Sequence, residues 1–132
     1  TANILTLANI GQSTVIGMGA DVLIGTTIVE LLDMFKTDNE TKIIVLFGEI
    51  GGTAEEDAAE YIKKTKYPKP VVAFISGKFA EMLPSTTVGH AGAIIEEGKG
   101  TRKAKIDALK DAGVHVVDVH HEIVEKVKEL FQ

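Results

Sequence analysis

Two short stretches carry side chains that could do chemistry. In VGHAGAII, Val88 to Ile95, a single imidazole, His90, stands between Gly89 and Gly92, so side chains are cleared from both of its flanks. A histidine packed in a core wants close neighbours, whereas one that must meet a bulky charged group wants bare backbone beside it. In FGEIGGTAEE, Phe47 to Glu56, Glu49 lies between an apolar run and the pair Gly51-Gly52. A carboxylate within reach of an imidazole holds one ring nitrogen protonated and leaves the other nucleophilic. Glu49 and His90 are therefore the candidate pair. Residue types alone leave two readings of His90 open, a packing or surface side chain and a reactive one.

Short β-rich runs alternate with amphipathic stretches of helical length, the pattern of βα units stacked on a parallel sheet. Strands are expected at Ser13 to Ile16, Lys42 to Phe47, Pro70 to Ser76 and Val114 to Asp118. The runs IIVLF and VVAFI are apolar almost throughout, as suits strands covered on both faces. Helices are expected at Gly25 to Phe35, Thr53 to Lys64, Thr101 to Ala112 and Glu122 to Phe131. Gly113 reads as a helix stop and Asp118 as a cap for the last helix. The opening TANILTLANIG fits neither a period of 2 nor one of 3.6 cleanly, and is read as helix.

This alternation places both glycine-rich segments, IGMGAD at Ile16 to Asp21 and FGEIGGTAEE, after strands. In open parallel sheets ligands gather at that carboxyl edge, where helix N-termini offer free amides and partial positive charge. Glu55, Glu56, Asp57 and Glu60 lie in or near the first turns of the following helix, where negative charge complements the dipole without further function. His115, Asp118, His120, His121 and Glu122 invite comparison with a metal site, but His120 and His121 are adjacent and point in different directions. A solvated strand-to-helix turn is the better reading, and no metal ligands are assigned. Lys99, Arg102 and Lys103 could meet a phosphate, but a solvated loop suits EEGKGTRKAK better.

The 132 residues are expected to form one domain, since 45% hydrophobic composition suffices for one core. A net charge of −5 argues against a nucleic-acid partner. With no apolar run of spanning length, a soluble chain outside the membrane is expected, and the lack of cysteine excludes thiolate chemistry.

From Gly11 onward, GQSTVIGMGAD, FGEIGGTAEEDAAEYIKK, KPVVAFISG and GHAGAIIEEGKGTRKAKIDALKDAGVHVVD closely resemble the second, ligase domain of the succinyl-CoA synthetase α subunit, related to the ATP-citrate lyase superfamily. GEIGG and GHAGAI in this order and spacing are specific as a pair. The resemblance implies an α/β, flavodoxin-like three-layer sandwich with a mainly parallel sheet of four or five strands. It implies an acid–CoA ligase in which His90 carries a phosphoryl group and Glu49 steadies it, with Gly51, Gly52, Gly89 and Gly92 giving the phosphate bare backbone. CoA, ATP or GTP, and Mg2+ would be bound mainly outside this chain, by a CoA-binding domain and an ATP-grasp β-type partner. A small carboxylic acid would be the substrate, and the cytoplasm or mitochondrial matrix the location.

Three departures accompany the resemblance. The family's N-terminal CoA-binding domain and its SGTLT-type helix start do not appear in the sequence, so the chain is expected to be inactive alone. GMGADV stands where the family has GIGGDP, with Ala20 and Val22 in place of glycine and proline. KFAEMLPSTTVGH is nearer the equivalent loop of ATP-citrate lyase. The alternatives are a citryl-CoA or ATP-citrate lyase type component and a non-catalytic flavodoxin-like interaction module. The family's first, central strand also precedes this sequence, so either residues 3 to 10 or another chain would have to pair with its neighbours.

Overall fold

The computed structural model describes residues 1–19, 23–79 and 100–131. Its elements run α1 (Ala2–Leu7), α2 (Ile28–Lys36), β1 (Ile44–Gly48), α3 (Ala54–Thr65), β2 (Val71–Ile75), α4 (Arg102–Asp111), β3 (His115–Val117) and α5 (Glu122–Leu130). The three strands form a parallel sheet in the order β1-β2-β3. Ile44 lies opposite Val71, and Val72 opposite His115.

The period-2 alternation of β2 sorts the core into two layers. Val71, Ala73 and Ile75 face Leu32, Ala58, Ala59, Ile62, Ile106 and Leu109 on α2, α3 and α4. Val72 faces the other way, toward Leu5 of α1 and Ile123 and Val127 of α5. Helices therefore cover both faces of the sheet, which is why β2 is apolar along its whole length. No helix among the described residues is long and apolar enough to cross a membrane.

Local chemistry sets the boundaries. Thr27 and Glu30 form a capping box, in which Glu30 N–H donates to Thr27 Oγ1 and Thr27 N–H donates to Glu30 Oε2. Helix α2 consequently starts at Ile28, three residues later than the sequence suggested. Helix α4 stops at Gly113, whose φ is 82° and whose N–H donates to Lys110 O. Tyr67 Oη donates to Leu32 O at 2.8 Å, tying α2 to the turn after α3.

Three expectations need correction. Ser13 to Ile16 forms no strand and leaves Val15 and Ile16 exposed, and among the described residues the sheet has three strands, fewer than expected. A β-rich run cannot hold strand geometry without a ladder partner, and residues 3 to 10 supply none, because α1 turns its apolar face onto α5 and the sheet. Asp118 does not cap α5. The N-cap position is His121, and Glu122 reaches back to accept from the N–H groups of Asp118 and Val119, each at 3.1 Å. Finally, Arg102 is buried rather than solvated.

Candidate active site

Because β1 is parallel to β2, the chain leaves both at the same edge, and Glu49 follows Gly48 there. Close packing dictates glycine at position 48. A methyl group built on it would lie 2.5 Å from Glu55 Oε1 and 2.8 Å from Ile75 Cδ1. Gly48→Ala is thus expected to destabilise the protein by about 1–3 kcal/mol through overpacking, read as a lowered denaturant midpoint at unchanged m-value. Next come Gly51 and Gly52 with φ of 91° and 58°, in the left-handed region that glycine enters without Cβ cost. They fold the chain back into the start of α3.

This turn is held by a buried ionic cluster. Lys105 is 0% exposed. Its ammonium donates to Gly52 O and Glu56 Oε2, each at 3.0 Å, and to Glu55 Oε2, so all three of its N–H donors find acceptors. The far oxygens of both carboxylates are also engaged. Glu49 N–H donates to Glu55 Oε1 at 3.2 Å, and Gly100 N–H to Glu56 Oε1 at 3.0 Å. Gly51 N–H in turn donates to Gly100 O at 2.8 Å. Two carboxylates against one ammonium leave an excess negative charge, offset by the amides of the first α3 turn in which Glu55 and Glu56 stand.

Arg102 closes the neighbouring corner. Its Nε donates to Ile75 O at 3.0 Å, and its guanidinium lies 3.7 Å from Asp118, joining the ends of β2 and β3. Glu49, Gly51 and Gly52 therefore share one edge with the last described residues of β2's exit, Lys78 and Phe79, and with Gly100, where the described chain resumes. His90, Gly89 and Gly92, like Ala20, Val22 and Lys99, lie outside the described residues.

The tail histidines are not brought together. The His120 ring packs 5.5 Å from both Phe47 and Phe74 and hydrogen-bonds Thr1 Oγ1, and its burial holds its pKa below the ordinary value. His115 and His121 are exposed. Among the described residues no group of three or more potential ligands could hold a metal ion.

Sequence reading missed Lys105 and the structural use of Glu55 and Glu56. The signal was present, since Arg102, Lys105, Ile106 and Leu109 follow the i, i+3, i+4, i+7 spacing of one helix face. Two cations on an otherwise apolar stripe require buried anionic or carbonyl partners.

A family model described as CoA-ligase matches residues 1–128. The chain belongs to the CoA-ligase family. Relatives of this CoA-ligase chain include subunit alpha 1 of the ADP-forming succinate–CoA ligase of Archaeoglobus fulgidus, 52% identical over 128 residues, 97% of this chain and 43% of that protein. The alpha subunit from Aquifex aeolicus is 48% identical over 97% of this chain and 41% of its own length. That from Staphylococcus epidermidis is 50% identical over 90% of this chain and 38% of its own. The chain thus spans well under half the length of these relatives. Among solved structures, ATP citrate lyase from Methanosaeta concilii in complex with (3S)-citryl-CoA superposes with a TM-score of 0.78 at 32% identity, over 86% of this chain and 18% of that one.

Proposed function

We propose that residues 1–132 are the ligase domain of an acid–CoA ligase of the succinyl-CoA synthetase type, relaying a phosphoryl group through His90. One observation carries the reading. The GEIGG turn, with Glu49, stands at the carboxyl edge of the sheet, where the described chain departs at Phe79 and resumes at Gly100, and the GHAG sequence lies between those two points.

In the proposed reaction a neutral His90 nitrogen attacks the terminal phosphorus of ATP or GTP, forming an N–P bond and releasing the nucleoside diphosphate. A carboxylate oxygen of the acid then attacks that phosphorus, the N–P bond breaks, and an acyl phosphate forms. The sulfur of CoA attacks the acyl carbon, loses its proton, and expels inorganic phosphate. Glu49 accepts a hydrogen bond from the imidazole N–H and stabilises the positive charge that ring acquires. Gly52, Gly89 and Gly92 carry no side chain that would stand between the backbone and the phosphoryl oxygens. Gly51, whose amide already serves Gly100 O, contributes the shape of the turn.

In the proposed reading an ATP-grasp β-type partner and a CoA-binding domain hold nucleotide, Mg2+ and CoA, and the chain alone is inactive. The proposed location is the cytoplasm, or the mitochondrial matrix if the source is a eukaryote. A second reading, a citryl-CoA-forming component, draws on the likeness to ATP citrate lyase. It differs in the acid, and turnover with citrate in place of succinate would select it.

In the complete enzyme, Glu49→Gln keeps a hydrogen-bonding side chain but removes the charge facing the imidazole. A loss in kcat on the order of 10–1,000-fold is expected, measured as succinyl-CoA formation. Wild-type turnover would remove Glu49 from the mechanism.

A further inference from the structure

Lys105 touches the GEIGG turn at three places by three different routes. It reaches Gly52 directly through its carbonyl, Glu49 through Glu55, and Gly51 through Glu56 and Gly100. Every intermediate bond runs between described groups, and Gly52 O, Glu55 Oε2 and Glu56 Oε2 account for all three donors of the ammonium. For stability alone, apolar side chains of similar volume would fill this site as well as a buried ion pair does. What the ammonium adds is direction, since three hydrogen bonds from one rigidly packed nitrogen fix where the turn lies. Glu49 depends on this most, because its own backbone N–H is held by the carboxylate that Lys105 grips.

We infer that Lys105 is a positioning residue for Glu49. Acting through Glu55, it sets the height and orientation of the turn from which the Glu49 carboxylate projects. The inference rests on the proposed role of Glu49 and deepens it. A positioning error of about 1 Å at a reacting group can cost on the order of 100-fold in rate, so loss of the ammonium should be felt in turnover while substrate affinity is spared.

The test is a double-mutant cycle in the complete enzyme with ATP, CoA and succinate. Wild type, Lys105→Met, Glu49→Gln and the double variant are compared by kcat, by KM for each substrate and by thermal midpoint. Methionine keeps the length of the buried stem and removes the ammonium, its charge together with its donors, so Glu55 and Glu56 lose their buried cation and the thermal midpoint should fall as well. Lys105→Met should lower kcat by about 10–100-fold with the three KM values unchanged. In the Glu49→Gln background the same change should cost less than about 3-fold, because a residue acting through Glu49 has nothing left to position. Losses that multiply in the double variant, or wild-type kcat for Lys105→Met, would overturn the inference. If Lys105→Met does not fold, Glu55→Ala takes its place in the cycle. It cuts the link to Glu49 while leaving Lys105 paired with Glu56, and the same non-additivity is expected. Should Glu49→Gln alone turn over like wild type, the role of Glu49 itself fails, a result read in a separate arm of the cycle.

Discussion

In the complete enzyme, His90→Asn is expected to abolish acyl-CoA formation, a loss on the order of 10⁴-fold or more, as for removal of a covalent nucleophile. Asparagine matches much of the polar reach of imidazole, but its amide nitrogen is not nucleophilic and cannot hold a phosphoryl group. The exchange of label between ATP and ADP should vanish together with net turnover, because it requires only the first transfer. Stability should change by no more than about 0.5 kcal/mol, since one polar side chain replaces another of similar length beside glycine. Retained exchange in a variant that has lost net turnover would place the defect after the first transfer and sink the relay through His90.

Among changes to apolar packing, the largest expected effect on stability comes from Ile75→Ala. Ile75 is 0% exposed, ends the central strand β2, and packs in the layer between the sheet and helices α2 to α4. Truncating a fully buried isoleucine removes its transfer energy and leaves a cavity, at a cost of about 2–5 kcal/mol. The cavity would open under Gly48, whose backbone the Ile75 side chain supports. Chemical denaturation should show the midpoint falling at unchanged m-value. A change under about 1 kcal/mol would mean that the layer collapses to refill the space.

Much of the architecture was legible because its signals are local. The strands around IIVLF and VVAFI, the α3 and α4 spans and the stop at Gly113 follow from apolar runs, amphipathic periodicity and turn chemistry, and the observed elements agree within a residue or two. The failures come from partners that residue type alone does not report. Ser13 to Ile16 has strand composition, but pairing needs a neighbour at hydrogen-bonding distance, and composition does not report one. Asp118 looks like a cap by residue type, yet Glu122 and Arg102 engage it instead.

The candidate site divides in the same way. Glu49 stands out in the sequence because a carboxylate between a buried strand and a glycine pair has few local explanations, and it lies at the carboxyl edge of the sheet. Glu55 and Glu56 were misread because acidic residues in a first helical turn already have one, the helix dipole. Their larger role, meeting Lys105 about fifty positions further along the chain, exists only once α4 lies against α3.

The relay is tested most directly by locating the phosphoryl group itself. The complete enzyme is incubated with γ-labelled ATP in the absence of succinate, digested under alkaline conditions that preserve N–P bonds, and its peptides are sequenced by mass spectrometry. The label should be acid-labile, lie on His90, and be discharged by succinate with CoA. Acid-labile label on another residue, or no protein-bound label while acyl-CoA formation proceeds, would contradict a phosphohistidine at position 90.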